Sequence, residues 1–210
     1  MEGTITDITR PLSAATAVWP GDEPFSLRWT QPHGANAAAV SCLRLSPHIG
    51  THLDAPLHLD PSGGDVASLP LGVCVGRSEV VALPGHQRPI TREDLPSGWS
   101  PSAPRVLFST GTWPAATRIP AAFASLSPAL AEFLAGAGVV LVGIDTPSVD
   151  EPSAAGLPAH RSCAAHGIVI LEGLDLERVP PGIFTLVAVP LRLEGAEASP
   201  VRAFLIGAAG

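Results

Sequence analysis

Apolar positions along the chain fall into many short runs rather than a few long ones. Thr4–Ile8, Ala39–Leu45, Val73–Leu83, Arg105–Ser109, Val139–Ile144, Ile168–Leu171, Ile183–Pro190 and Val201–Ile206 each concentrate aliphatic or β-branched residues between turn formers. That pattern predicts strands. Val139–Ile144 is almost wholly apolar, which predicts a strand covered on both faces. Helix signals are fewer. Thr91-Arg92-Glu93-Asp94 has the form of an N-terminal cap with acid in the first turn. Ser127-Pro128 sets a capping hydroxyl before a first-turn proline, so a helix is predicted over Pro128–Ala135, stopping at Gly136. Pro158–His166 reads the same way, with Gly167 closing it. The 23 prolines and 21 glycines are scattered, so elements are short and loops numerous. No internal repeat and no long linker is present. One domain over residues 1–210 is expected, of α/β or α+β class.

Composition narrows the function. Hydrophobic residues make up 46% of the chain, as in a packed globular protein. All 12 basic residues are arginine, and without lysine neither Schiff-base chemistry nor a phosphate-loop lysine is available. A net charge of −7 disfavours nucleic acid and anionic membranes as partners. Cys42, Cys74 and Cys163 form no Cys-x-x-Cys pair and read as buried thiols of a reducing compartment. No basic-then-apolar leader is visible, and the longest apolar stretch, Phe133–Ile144, is shorter than the ~20 residues of a membrane span. A cytoplasmic location is expected.

The densest chemistry lies in His48-Ile-Gly-Thr-His-Leu-Asp-Ala-Pro-Leu-His58. Imidazole and carboxylate are the donors that suit zinc and similar metals. Pro47, Gly50 and Pro56 argue against a helix through the run. On a strand, His48 and His52 would stand about 13 Å apart, too far to share one ion. The chain is therefore expected to curl as an irregular turn about Gly50, aiming His48, His52 and Asp54 at one point. His58, past Pro56, reads as either a residue that orients a ligand or a general acid/base. Trp19 sits in a Trp-Pro-Gly turn and could be ordinary packing or a binding surface. His160 and Glu172 would not be singled out by spacing alone. Asp145, Ser148 and Asp150 read as caps or turn residues, and His33, His86 and His166 have no assignable role. There is no Gly-x-Ser-x-Gly elbow. Cys163 and His160, three apart on one predicted helix, are the nearest thing to a nucleophile pair.

The run resembles the His-x-Gly-Thr-His-x-Asp-x-Pro-x-His signature of the metal-dependent cyclase family, which includes the bacterial kynurenine formamidases. Every fixed position is present. Trp19-Pro20-Gly21-Asp22, Ile144–Asp150 with Leu157-Pro158-Ala159-His160, and Leu171–Leu176 extend the likeness from Ile5 to about Leu205. Gly173 stands where asparagine is usual, a change that could loosen the loop carrying Glu172. The resemblance implies a β-rich α/β fold of the swivelling β/β/α type, with a barrel-like sheet and few helices. It also implies two divalent ions per subunit: zinc first, with manganese or cobalt suited to the same donors. His48, His52 and Asp54 would bind one ion. Asp54, His160 and Glu172 would bind the other, with Glu172 also reaching the first. His58 would be the general acid/base, Trp19 a stacking surface for an aromatic substrate, and the assembly a homodimer. The expected reaction is hydrolysis of N-formyl-L-kynurenine to L-kynurenine and formate by a metal-activated hydroxide. The alternatives are another amide or lactone hydrolase of the family, acting on isatin-like ring amides, and a non-catalytic metal-binding protein. A free imidazole at His58 disfavours the last.

Overall fold

The computed structural model describes residues 3–34 and 37–207. In chain order the strands are β1 (Ile5–Asp7), β2 (Ser26–Gln31), β3 (Val40–Arg44), β4 (His52–Asp54), β5 (Val75–Ala82), β6 (Pro89–Ile90), β7 (Arg105–Ser109), β8 (Ser125–Leu126), β9 (Leu141–Ile144), β10 (Val169–Glu172), β11 (Gly182–Val187), β12 (Ala198–Pro200) and β13 (Phe204–Ile206). The α-helices are α1 (Leu71–Cys74), α2 (Pro128–Gly136) and α3 (Pro158–Ala165). Short 3-10 turns cover Pro56–His58, Val66–Ser68 and Arg92–Asp94. The architecture is β-rich α/β, as expected.

Nine strands form one curled sheet in the order β1-β13-β11-β5-β7-β9-β10-β4-β12. Its centre, β5-β7-β9-β10, is parallel. Helices α2 and α3 carry the crossovers from β7 to β9 and from β9 to β10, and they pack on one face. Side-chain alternation divides the core in two. Val106, Phe108, Val142 and Ile144 point toward Leu130 and Leu134 of α2 and Ala159 and Cys163 of α3. Leu107, Leu141 and Leu171 point the other way, onto Leu53, Leu186 and Leu205.

Helix α2 starts as its sequence predicts. Ser127 accepts a hydrogen bond from the Leu130 N–H at 3.2 Å, and Pro128 occupies the first turn. The Thr91 signal is a full capping box on a 3-10 turn. Other expectations need correction. The predicted strand at Val73 begins as the short helix α1, because Pro70 fixes an extended entry to a single turn. Glu172 is the last residue of β10 rather than following it. The run from His48 is a turn only as far as Thr51, and His52–Asp54 is a fully buried strand held between β10 and β12.

The β2–β3 hairpin stands apart from the large sheet, and every residue in both strands is exposed. No helix among the described residues is long and apolar enough to cross a membrane.

Candidate metal centre

The site is built where β4 meets β10. The strands are antiparallel, with His52 opposite Glu172 and Asp54 opposite Ile170. Residues two apart on a strand share a face, so His52 and Asp54 point to the same side as Glu172. Leu53 and Leu171, between them, enter the core behind. Gly50 supplies the bend that returns His48 to the same spot. Its φ is +63°, and a β-carbon there would fall 2.5 Å from the Leu12 side chain.

All five proposed donors converge. His48 Nδ1 lies 3.1 Å from Asp54 Oδ1, and His52 Nε2 lies 3.5 Å from the same oxygen. His52 Nε2 is also 3.3 Å from Glu172 Oε2. His160 Nε2 faces the other oxygens, Asp54 Oδ2 at 3.5 Å and Glu172 Oε1 at 3.2 Å. Each carboxylate therefore shows one oxygen to the His48/His52 side and one to the His160 side. His58, at the end of the Pro56–His58 3-10 turn, has its ring centroid 4.3 Å from that of His48, tilted by 45°, and 5.7 Å from that of His160.

These donors fit a cation. His52 Nε2 and both oxygens of Asp54 are buried and make no hydrogen bond within the protein. Buried polar atoms without partners are expensive to maintain. Two groups of donor atoms lie close enough to share an ion: His52, Asp54 and Glu172, and also His48, Asp54 and His58. The field has the right sign. Burial alone would drive the His52 imidazole to lower pKa, but Glu172 and Asp54 outweigh it and push it up to about 9. His160 is raised in the same way. Burial disfavours both carboxylates, yet His160 and the facing imidazoles hold Asp54 and Glu172 below their ordinary range. A centre that retains protons on buried imidazoles also attracts a divalent ion. His58 differs, because burial lowers its pKa and leaves the ring neutral at pH 7.

Further residues support the cluster. Asp150 pairs with His160 Nδ1 at 2.7 Å, and the Val149 N–H donates to Glu172 Oε1 at 2.7 Å. The Glu197 carboxylate lies 3.5 Å from His48 Nε2. Neither carboxylate was legible as a site residue. Asp150 was read as a cap, which it is, but for a helix that begins beyond an intervening loop. Glu197 is brought in by the ladder between β12 and β4. Thr51 ties the turn to β10 through a 2.6 Å hydrogen bond from its hydroxyl to the Gly173 carbonyl. Gly173 has a steric reason to be glycine in this chain. At φ +68°, with a virtual β-carbon 2.0 Å from the Gly50 carbonyl oxygen, it lets the two backbones touch.

A cavity of about 350 Å3 opens over the cluster, and Trp19, Asp22, His58, Glu151 and Leu157 are among its walls. That volume falls within the range of small-ligand sites, about 300–1,000 Å3. Trp19 and Asp22 share one turn, in which the Asp22 N–H donates to the Trp19 carbonyl at 3.0 Å. A smaller apolar hollow of about 70 Å3 lies behind His58, against Ala164, Ile168 and Ile170. Cys163 lies on the buried face of α3, where burial pushes its thiol up to about 12, against a role as nucleophile. His33 packs beside Trp29 in the hairpin region, His86 lies 3.8 Å from Asp94, and the His166 ring meets the Ser162 carbonyl.

Known proteins resemble the chain along its length. The family model described as "Putative cyclase" matches residues 6–151. A kynurenine formamidase from Salinibacter ruber is 43% identical over 210 residues, covering 96% of each chain. Among solved structures, a predicted metal-dependent hydrolase from Bacillus stearothermophilus superposes with a TM-score of 0.83 at 28% identity, over 98% of each chain. Isatin hydrolase A from Labrenzia aggregata shares the fold, with a TM-score of 0.83 at 23% identity over 98% of this chain and 94% of its own. Metal-dependent hydrolases thus surround this sequence, and the chain belongs to the cyclase family.

Proposed function

We propose that the protein is a kynurenine formamidase, hydrolysing N-formyl-L-kynurenine to L-kynurenine and formate. The observation that carries this reading is the pair of buried carboxylates flanked by imidazoles, with acceptor atoms left unpaired beneath a cavity walled by Trp19. The Salinibacter ruber relative, by its name, gives the substrate class.

His48, His52, Asp54 and Glu172 would hold one divalent ion. Asp54, Glu172 and His160 would hold a second, with zinc the first choice for such donors. A metal bound here supplies Lewis acidity and a lowered water pKa. The remaining work falls to the chain. Trp19 offers an aromatic face to the substrate ring. His58, neutral because it is buried, can take a proton from the attacking water and return it to the departing aryl amine nitrogen. That return matters because an aryl amide anion is a poor leaving group.

A second reading of His58 has its own observation, the donor group formed with His48 and Asp54. His58→Ala separates the two. A proton carrier leaves metal content intact and loses ~10²–10⁴-fold in kcat. A ligand loses metal in proportion.

The chain is read as one domain, since both cores pack on one sheet. Cys74 and Cys163 are buried, but Cys42 is exposed because it lies on the hairpin strand β3; three free thiols suit a cytoplasmic setting. A homodimer fits the exposed hairpin. Leu27, Trp29, Val40 and Leu43 are 46–56% exposed there, and an isolated two-stranded ribbon is marginal in water. Residues 26–44 also hold two arginines and no acid in a chain of net charge −7.

Turnover of N-formyl-L-kynurenine before and after chelation, with zinc or manganese restored, tests the whole reading. Activity abolished by chelation and regained with metal supports it. No turnover by a metal-loaded chain would discard the substrate and move attention to ring amides and lactones.

A further inference from the structure

We propose that Asp150 is a positioning residue of this centre. It fixes the His160 ring with Nε2 turned toward Asp54 and Glu172, and with the same carboxylate it fastens the start of α3.

Asp150 is buried, at 3% exposure. Its Oδ1 accepts a hydrogen bond from the Ala159 N–H at 2.9 Å, and its Oδ2 accepts one from the His160 N–H at 3.1 Å. The same Oδ2 meets His160 Nδ1 at 2.7 Å. Its own N–H donates to Ser148 Oγ at 3.0 Å, so the loop that presents it is also pinned. Helix α3 needs this help. Its N-cap position is Leu157, whose side chain cannot accept a hydrogen bond and whose backbone is left-handed at φ 51°. Leu157 is the one non-glycine residue with positive φ among the described residues. The first-turn N–H groups of α3 would otherwise be orphaned. Asp150 satisfies two of them from across the 151–157 loop, and Glu151 and Leu157 of that loop wall the substrate cavity.

The contact with Nδ1 decides which nitrogen can bind. A neutral imidazole carries one N–H, and a carboxylate can only accept. In the neutral ring that would bind a metal, the proton beside Asp150 must sit on Nδ1. Nε2 then keeps its lone pair, and Nε2 is the atom 3.2 Å from Glu172 Oε1 and 3.5 Å from Asp54 Oδ2. Carboxylate partners of this kind set both the tautomer and the orientation of a ligating imidazole.

Asp150→Asn separates the two roles. Asparagine keeps an oxygen for the Ala159 N–H, so the helix cap survives in part. Its amide nitrogen can donate to Nδ1, which drives the proton to Nε2 and removes the lone pair where an ion would need it. The inference rests on the metal reading above, and the test is metal affinity rather than turnover. Zinc and manganese titrations against a competing chelator should show one of two ions weakened ~10–100-fold in Asp150→Asn, with the other unchanged. Its melting temperature should fall less than that of Asp150→Ala, which loses both cap bonds as well as the His160 contact. Two ions bound by Asp150→Asn as tightly as by the wild type would overturn the inference alone. A wild-type chain that binds no metal would overturn the site reading and this inference with it. Should Asp150→Asn fail to fold, nitrogen-15 histidine spectra of the zinc-loaded wild type still decide. A protonated Nδ1 on His160 is expected, and a protonated Nε2 would refute the inference.

Discussion

Two antiparallel ribbons in this protein have opposite polarity. In β4–β10 the strands are buried, and the buried side chains include two carboxylates and an imidazole. In β2–β3 every residue is exposed, and the exposed side chains include a tryptophan and two leucines. Each inverts the usual preference for charge outside and hydrocarbon inside. Neither arrangement is stable as an end in itself. Buried ions need a counter-charge, and a lone apolar ribbon needs cover. The contrast teaches that misplaced polarity is most informative when its sign is known. Charge inside points to an ion, and hydrocarbon outside points to another surface.

Removing the charge that both halves of the inner site share should have the largest effect. Asp54→Ala should lose both ions and all detectable turnover, with metal content measured by mass spectrometry. Retained metal would show that Asp54 does not join the two donor groups. Next comes the outer ribbon. Leu27→Ser with Trp29→Ser should raise the Kd of the proposed dimer by ~30- to 1,000-fold, corresponding to about 2–4 kcal/mol of lost apolar burial. Sedimentation velocity over a concentration series would reveal it, and an unchanged distribution would leave the ribbon without its partner. The seam behind the inner ribbon is third. Gly173→Ala forces an L-residue to φ +68° with its β-carbon against the Gly50 carbonyl, so a destabilisation of about 1–3 kcal/mol is expected in urea unfolding. A neutral result would mean that the turn and β10 are free to part.

The smallest effect serves as a control at an ordinary charged cap. Burial alone would raise the Asp94 carboxyl, but hydrogen bonds from Thr91 and Arg88 hold it at about 2, below its usual 3.8. A depressed acid stabilises the fold above its unfolded-state pKa and loses that contribution as pH falls. The loss should run from about pH 4 down through pH 2, and Asp94→Asn should flatten that part of the acid-unfolding curve. No change in the curve would mean that the cap adds nothing to stability.

Legibility in the sequence followed how local each cause was. Arg105–Ser109 was read with its true bounds because an apolar run between turn formers needs no partner to be recognised. Helix α2 was legible from Ser127-Pro128, two adjacent residues. Strand β4 was missed because His-Leu-Asp offers one apolar residue, and its extended form comes from the ladders on either side. Strand β2 carries Leu27 and Trp29 in alternation, a local strand signal of only two apolar positions. His160 and Glu172 drew attention only through resemblance to a family, since nothing in their local spacing marks them. Asp150 lies ten positions from the ring it holds, across a loop with a left-handed leucine, and no pattern rule reaches that far.

The contact between Gly50 and Gly173 has a consequence for redesign. Hydrogen is the only side chain either position accommodates without displacing a neighbour, so the turn that delivers His52 and the strand end that delivers Glu172 form one inseparable part. Diversity introduced there would shift both sets of donors together. The 151–157 loop lines the same cavity without carrying a donor, and a library meant to change the accepted amide should be confined to it.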